Sequence, residues 1–241
     1  MRISVVVPAF NEEALLPRSL VSIRAAMAAF EAPGWSAELI VCDNNSTDRT
    51  AEVARAAGAQ VVFEPINQIS RARNRGAAQA CGDWLDFVDA DSFPTLELFL
   101  DARREIAAGR CLAGGSTVAF EETPLEARIA IGTWNALSRL TKWAAGSFIF
   151  CEATAFRDTG GFSEALYASE EIDLFRRLKR IARRQGRTIA ILHRHPLRTS
   201  SRKLRLYRRA ELLSFLAKMV LSGGRSLRSR KDCHAWYDGR R

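Results

Sequence analysis

The residues of this sequence whose types and spacing most clearly suggest a chemical role are two aspartates, Asp89 and Asp91, at the end of a mostly apolar run. In an extended backbone, side chains at i and i+2 leave the strand on the same side. Two carboxylates held together at a strand end suit a Mg²⁺ or Mn²⁺ ion that also carries the phosphates of a substrate. An acidic turn after a core strand explains the same letters equally well, so the pair alone leaves both interpretations open.

Strands and helices alternate around this pair from the first residues onward. We predict strands at 3–7, 39–42, 60–63 and 84–89, and helices at 12–30, 46–57 and 70–80. Asn11 is expected to cap the first helix, and Ser46 or Thr47 the second. This alternation predicts an α/β fold with a mostly parallel sheet, whose ligands bind beyond the carboxyl ends of the strands.

The alternation weakens after Pro94 but does not stop. Further helices are predicted at 96–108, 124–140 and 170–183, and further strands at 113–120, 147–151 and 188–192. Neither an internal repeat nor a linker interrupts this pattern, so residues 1–200 are expected to form one domain. Residues 201–241 are expected to form a basic C-terminal helix and tail.

The net charge of +9 belongs entirely to that tail, because residues 201–241 hold 12 Lys and Arg against three Asp and Glu. The neutral body argues against a general nucleic-acid binder. The apolar run at 212–221 is too short to span a bilayer. It is compatible with a helix at an anionic membrane surface and equally with a helix packed on the body.

The five cysteines also bear on location, because they are widely spaced and include no C-x-x-C pair. That spacing argues against a disulfide framework or a zinc site. The N-terminus lacks the features of a signal peptide. We therefore expect a cytoplasmic protein, with contact to the inner face of the membrane as an option.

Five motifs follow one another in an order that resembles the family 2 glycosyltransferases of the GT-A fold. They are Pro8-Ala9-Phe10-Asn11-Glu12, Asp43-Asn44-Asn45-Ser46, Arg71-Ala72-Arg73-Asn74-Arg75-Gly76, Asp89-Ala90-Asp91, and Gly160-Gly161-Phe162-Ser163-Glu164 with Glu170-Glu171-Ile172-Asp173 behind it. The resemblance covers residues 3–180. It implies a nucleotide-sugar donor, most often UDP-linked, a Mn²⁺ or Mg²⁺ ion, and transfer to an acceptor hydroxyl with inversion. The basic tail is compatible with a lipid-linked or cell-envelope glycan as acceptor.

The resemblance also implies roles for individual residues. Asp91 would be the direct metal ligand, with Asp89 facing the ribose and the metal, and Asp43 would bind the base. The other residues implied in nucleotide-sugar binding are Pro8, Phe10, Asn11, Glu12, Arg71 and Ala90.

The general base is implied to lie on the acidic segment at the start of the predicted helix 170–183. The family usually has Glu-Asp there, with the Asp as base, whereas this chain has Glu170-Glu171. Glu171 is the expected base, and Glu170 and Asp173 are the alternatives. An acidic first turn that favours the helix dipole explains the same residues without catalysis.

Several further residues have more than one interpretation. Arg73 and Arg75 are compatible with the solvated face of a helix, which we favour for Arg75. His193 and His195 alternate onto one side of the last strand and could approach the metal. The segment 199–203 resembles one that lies near the donor diphosphate in bacterial relatives. Asp86 needs an arginine partner or a less covered strand.

The sequence differs from the family pattern at several points, and these differences bear on the predicted activity. Asn45 stands where the family usually has Gly, but Asn tolerates the left-handed conformation. The Gln-x-x-Arg-Trp motif and membrane spans of processive synthases are absent from the sequence, which predicts one sugar added per encounter. The alternatives are a nucleotidyltransferase, whose glycine-rich loop this chain lacks, and a non-catalytic binding protein.

Overall fold

A computed structural model describes residues 1–120, 125–202 and 225–233 of the chain. The strands are β1 (Arg2–Ala9), β2 (Ser36–Asp43), β3 (Gln60–Phe63), β4 (Trp84–Val88), β5 (Ser92–Phe93), β6 (Cys111–Phe120), β7 (Phe148–Glu152) and β8 (Thr188–Thr199). The α-helices are α1 (Leu16–Met27), α2 (Thr50–Ala56), α3 (Ile69–Gln79), α4 (Leu96–Ala107), α5 (Leu125–Thr141), α6 (Ala153–Asp158) and α7 (Glu170–Arg184), with short 3₁₀ helices at Ala28–Phe30 and Arg225–Arg228.

The eight strands form one sheet in the order β3-β2-β1-β4-β7-β6-β8-β5. The first half, β3-β2-β1-β4, is entirely parallel. β7 then enters antiparallel between β4 and β6, while β6 and β8 run parallel. The alternating pattern predicted this α/β arrangement, and the family resemblance implied it as the GT-A fold.

Both faces of the sheet are buried because the strands are apolar on both sides. Val5 and Val7 pack on the face covered by α1 and α4, whereas Val6 packs on the face covered by α3, α6 and α7. Each face therefore holds its own hydrophobic core, as expected for a parallel sheet between helical layers.

The helix starts differ from the sequence prediction where polar loop chemistry competes with the helix. α1 begins at Leu16, not at residue 12, and Asn11 does not cap it. Asn11 instead adopts a left-handed φ of 51° and accepts a hydrogen bond from the Thr47 backbone N–H. Likewise α2 begins at Thr50, and the Asp48 carboxylate accepts the Thr50 N–H in place of the predicted Ser46 or Thr47 cap.

Other boundaries moved because tertiary pairing extends or adds an element. β8 continues to Thr199, well past the predicted end at residue 192, because β6 and β5 pair with its second half. Ser92 and Phe93, which lie beyond the predicted strand 84–89, form β5 through the same pairing. β1 continues through Pro8 to Ala9, since its pairing with β4 stops at Val6 and the missing proline donor is not needed there.

The predicted C-terminal helix falls mostly outside the described residues, which exclude 203–224 and 234–241. In the part that is described, the 3₁₀ helix and Cys233 pack near Tyr167 and Ala168. No helix among the described ranges combines the length and the apolar character needed to cross a membrane.

Candidate functional site

The site lies where three neighbouring strands end. β1 sits between β2 and β4, and Ala9 is in register with Asp43 at the end of β2. The chain leaves β4 at Val88 and continues into Asp89. The predicted convergence of residues 8–11, 43–46 and 89–91 on one sheet edge therefore follows directly from the strand order.

The turn after β2 is built by its own polar side chains. Asn45 has a φ of 65°, which confirms that Asn takes the left-handed position here. The carboxylate of Asp43 accepts the Ser46 N–H at 3.1 Å, and the side-chain amide of Asn44 donates to the Ile66 carbonyl at 2.7 Å. Asp43 is thereby held at the edge of the sheet, 7 % exposed.

The backbone of Asp91 is fixed by the end of β8. The Asp91 carbonyl accepts the Ser200 N–H at 3.0 Å and the Thr199 hydroxyl at 3.4 Å. Ala90, between the two aspartates, is buried in the core face of α1 and α4. The Asp91 carboxylate thus stands on a backbone anchored from two sides.

The guanidinium of Arg202, shortly after the end of β8, lies next to Asp91. The Arg202 Nη2 donates to Glu12 Oε1 at 2.6 Å and lies 3.9 Å from Asp91 Oδ2. The Arg202 pKa is raised: burial alone would lower it, but the hydrogen bond and charge of Glu12 and the charge of Asp91 outweigh that effect. Segment 199–203 therefore reaches the aspartate pair in its described part, 199–202.

Arg73 is buried at the centre of the site, so the interpretation of this residue as part of a solvated helix face is wrong. Its side chain is 1 % exposed. Nη2 donates to Asp89 Oδ1 and to the Gly146 carbonyl, both at 2.8 Å, and Nη1 donates to Glu170 Oε1 at 2.6 Å. Arg75, on the same helix, is exposed as expected.

The signal that identifies Arg73 was present in the sequence. The buried residues of α3 are Ser70, Ala72, Arg73, Gly76 and Ala77, the spacing of one helical face. A charge on an otherwise small and apolar face needs a buried counter-charge, and Asp89 and Glu170 supply it.

Glu171 has the strongly shifted carboxyl of the site. Burial raises its pKa to about 8, the charge of Glu170 adds to the rise, and the Arg73 guanidinium opposes it. Glu170 itself is buried and bound to Arg73. The two adjacent glutamates therefore have different environments: Glu170 is ion-paired with Arg73, whereas Glu171 has a raised pKa.

The helix that carries both glutamates is positioned through α3. The side-chain amide of Asn74 donates to the Phe162 carbonyl and accepts the Phe162 N–H, both at 2.9 Å. Arg71 pairs with Glu164 at 2.8 Å. The predicted motifs at 71–76 and 160–164 thus meet in space, and the chain leaves them directly into α7.

A cavity of about 480 Å³ lies at this site. Its apolar lining includes residues of β6, α3 and α5. Its polar lining consists of Arg73, Asp89, Asp91, Ser147, Ser169, Glu170, Glu171, Thr199 and Ser200. Its volume is typical of sites for small-molecule substrates.

The residues present fit a divalent metal that is shared with a substrate. Within the described ranges, no group of three or more His, Cys, Asp or Glu side chains is arranged to hold a metal by itself. Mg²⁺ commonly takes one or two protein carboxylates together with phosphate oxygens and water. Asp91, with Asp89 beside it, supplies that protein share on the cavity wall.

Other predicted residues lie outside this cavity. Asp173 forms an ion pair with Arg177 one helical turn away, at 2.7 Å, and is not among the cavity-lining residues. His195 Nδ1 contacts Asp101 Oδ2 at 2.9 Å, and His193 is exposed. Arg71, held by Glu164, stands on α3 beside the cavity without lining it.

Neither of the explanations suggested by the sequence, an arginine partner or a less covered strand, applies to Asp86. It is fully buried in β4, and among the described residues neither carboxylate oxygen has a hydrogen-bond partner. Burial raises its pKa to about 8. The carboxyl is therefore neutral at neutral pH, and it lies in the hydrophobic core and not at the site.

Comparison with known proteins finds the same family that the five sequence motifs resemble. The family model "Glycosyl transferase family 2" matches residues 4–159. An uncharacterised glycosyltransferase of Mycobacterium tuberculosis is 37 % identical over 114 residues, which cover 45 % of this chain and 48 % of that protein. The chain spans about a quarter to a half of the length of the first curated relatives that it matches.

Two solved structures share the fold. S. aureus TarS 1–349 in complex with UDP-GlcNAc has a TM-score of 0.61 at 21 % identity, covering 83 % of this chain and 58 % of that chain. Glucosyl-3-phosphoglycerate synthase from Mycobacterium tuberculosis, in complex with Mn²⁺, uridine diphosphate and phosphoglyceric acid, has a TM-score of 0.58 at 22 % identity, covering 96 % of this chain and 78 % of that chain. At this identity the likeness shows the fold alone.

Proposed function

Because this chain belongs to glycosyl transferase family 2, we propose that it transfers a sugar from a nucleoside-diphosphate sugar to an acceptor hydroxyl, with inversion and with a divalent metal. The observation that carries this proposal is the meeting of Asp91, Arg202 and Glu171 at one sheet edge, beside Asp43. A diphosphate needs cations, and an acceptor hydroxyl needs a base. This edge offers both kinds of group.

The donor is proposed to lie across the strand ends. Asp43 would accept a hydrogen bond from the base, and Pro8, Phe10, Asn11 and Glu12 would line the nucleoside. Uracil is the favoured base, since TarS and glucosyl-3-phosphoglycerate synthase were crystallised with UDP-GlcNAc or UDP. Asp89 would face the ribose, with Ala90 and Arg71 beside the nucleotide.

The metal is proposed to be held by Asp91, with Asp89 beside it. A bound Mn²⁺ or Mg²⁺ would act as a Lewis acid toward the negative charge that develops on the departing diphosphate. Arg202 lies close enough to Asp91 to add a second positive charge there. The guanidinium of Arg73 holds Asp89 in place by a direct hydrogen bond.

The transfer step is proposed to use Glu171 as general base. The acceptor oxygen forms a bond to the anomeric carbon from the face opposite the diphosphate, and the bond from that carbon to the diphosphate oxygen breaks. The proton of the acceptor hydroxyl passes to the Glu171 carboxylate, and the nucleoside diphosphate leaves with the bonding electrons. Glu170, bound to Arg73, positions the start of α7.

Thermal stabilisation by UDP tests the donor site. UDP should raise the Tm only when Mn²⁺ or Mg²⁺ is present, and Asp91→Ala should abolish that metal dependence. Asp158→Ala, which alters an exposed aspartate on α6, is the matched control and should behave as the wild type. Absence of stabilisation by any nucleoside diphosphate in the presence of metal would refute the proposal.

Location is proposed separately. We propose that the protein works in the cytoplasm and that residues 201–241, which carry the whole net charge, touch an anionic membrane surface, where a lipid-linked acceptor would be at hand. Sedimentation with phosphatidylserine vesicles should fall as salt rises. Equal sedimentation with neutral vesicles would contradict the membrane contact.

A further inference from the structure

One wall of the cavity has a chemistry that the donor does not use. It is formed by Val118, Phe120, Ala130, Ile131 and Trp134, from the end of β6 and from α5. The indole N–H of Trp134 is the one hydrogen-bonding side-chain group among these five residues. The same cavity is also lined by the carboxylates of Asp89, Asp91 and Glu171, so its lining is apolar in one part and charged in another.

The apolar wall is held in place by a specific contact. The side-chain amide of Asn135 donates to the Val118 carbonyl at 2.9 Å and accepts the Val118 N–H at 3.0 Å. This amide takes the place of a neighbouring strand and ties α5 to the edge of β6. Residues three and four apart share a helix face, so the tie at Asn135 keeps Ile131 and Trp134 turned toward the cavity.

The nucleoside does not need this space. Pro8, Phe10 and Asp43 stand at the neighbouring strand ends and are not among the residues that line the cavity. The space between Glu171 and the apolar wall is therefore left for the transferred sugar and the acceptor. The part of the acceptor next to its reacting hydroxyl has to lie against the apolar wall.

We propose that the acceptor carries its reacting hydroxyl on an apolar body, an alkyl, prenyl or aromatic group, that packs on Val118, Ile131 and Trp134. This inference rests on the proposed glycosyl transfer. A sugar acceptor pressed against the wall would bury hydroxyls without partners, which costs binding. An apolar body gains from the same burial. A membrane lipid and a free amphiphile share this chemistry.

The test compares acceptors in one assay, with the UDP-sugar that shows metal-dependent hydrolysis as donor. Linear alcohols from propanol to octanol should accept the sugar, with kcat/KM rising about fourfold per methylene until the wall is filled. Glucose and glycerol should be poor acceptors at equal concentration. Octanol in solution and a long-chain alcohol in phosphatidylcholine vesicles distinguish a free amphiphile from a membrane lipid, and turnover of either supports the proposal.

A matched pair of variants places the effect on the cavity wall. Ile131→Ser alters the wall, whereas Ile129→Ser makes the same change on the outer side of α5, where Ile129 is 70 % exposed. Ile131→Ser should lower kcat/KM for octanol about tenfold or more and flatten its dependence on chain length. UDP stabilisation should stay unchanged in both variants, which also shows that both are folded, and Ile129→Ser should leave donor hydrolysis unchanged as well.

Two results would overturn the inference. One is a higher kcat/KM for glucose or glycerol than for octanol. The other is an equal effect of Ile131→Ser and Ile129→Ser on octanol. If UDP stabilisation and donor hydrolysis are intact while no apolar alcohol is glycosylated, the acceptor assignment fails and the glycosyltransferase proposal stands. If donor binding and hydrolysis are missing as well, the proposed function itself fails.

Discussion

Two neighbouring glutamates at the start of α7 have different environments because Arg73 donates a hydrogen bond to only one of them. Arg73 donates to Glu170 and holds it as a charged partner. Glu171 keeps a raised pKa because it is buried next to Glu170. The proposed base therefore depends on a neighbour that takes no part in proton transfer.

Glu171→Gln should lower kcat/KM by roughly 10²–10⁴, the usual contribution of a general base, while UDP stabilisation stays intact. In the wild type, kcat/KM should rise with pH through about 8 and then level off, since the base works only when it has lost its proton. Initial rates from pH 6 to 9.5 measure this limb. The exposed Glu97→Gln is the control. Full activity of Glu171→Gln would assign the base to Glu170 or Asp173.

Arg73→Met should move the rising limb of the pH profile to higher pH, because the Arg73 charge holds the pKa of Glu171 down. It should also cost about 3–5 kcal/mol of unfolding free energy, since it leaves the buried Glu170 and the partly exposed Asp89 without their ion-pair partner. Arg73→Lys keeps a positive charge and provides a folded variant if the first does not accumulate. Arg75→Met, on the exposed face of α3, is the matched control. An unshifted limb would show that Arg73 does not act on Glu171.

At the scale of elements, α3 links the strand ends to the helix of the base. Its side chains contact Asp89 through Arg73, the loop after α6 through Asn74, and Glu164 through Arg71. Gln68, which precedes the helix, donates to the Glu164 and Leu166 carbonyls. One short helix thus sets the separation of Asp89, in the proposed metal site, from α7, which carries the proposed base.

Asn74→Ala should reduce kcat and leave UDP stabilisation in place. Both hydrogen bonds to Phe162 are lost, so the loop that leads into α7 is less fixed and Glu171 is less well placed. The unfolding free energy should fall by roughly 1–3 kcal/mol, the cost of unpaired buried polar groups. Steady-state kinetics and chemical denaturation, with Arg75→Ala as the control on the same helix, measure both effects. A lower UDP affinity with kcat unchanged would contradict the positioning role.

At the scale of the whole molecule, stability and solubility involve charges away from the site. Residues 1–200 are neutral in balance and residues 201–241 carry the excess of positive charge. The folded body instead contains a buried carboxyl, Asp86, inside one of its two hydrophobic cores. The raised pKa of Asp86 should be visible in the pH dependence of the unfolding free energy.

Asp86→Asn should raise the Tm at pH 8 but hardly at pH 4. The pKa of Asp86 is about 8 in the folded protein and about 3.9 in an unfolded chain. The buried carboxyl therefore does not lower the free energy of unfolding below pH 4. Between pH 4 and pH 8 it lowers that free energy increasingly, by about 1.4 kcal/mol per pH unit at most. Calorimetry of the wild type and Asp86→Asn at both pH values measures the difference. Asp158→Asn is the exposed control, and a gain in Tm that does not depend on pH would contradict the shift.

The sequence by itself determined the parallel half of the fold and the identity of the edge residues. The β-branched run at 3–7 and the strict alternation up to residue 89 require βαβ units, because a crossover helix is the short way to join parallel strands. In that topology Asp43 and Asp89 follow the two strands that flank β1. Asn45 could be expected to take a left-handed turn because its side chain tolerates that conformation.

Only the tertiary structure decided which charges meet. Arg73 and Asp89 are 16 residues apart, and Arg73 and Glu170 are 97 apart, so no local pattern pairs them. The length of β8 depended on partners far along the chain, and the apolar wall depended on the contact of Asn135 with Val118, 17 residues away. Burial is a property of the packed chain: it turned Arg73 from a surface charge into the centre of the site, and it left Asp86 neutral in the core.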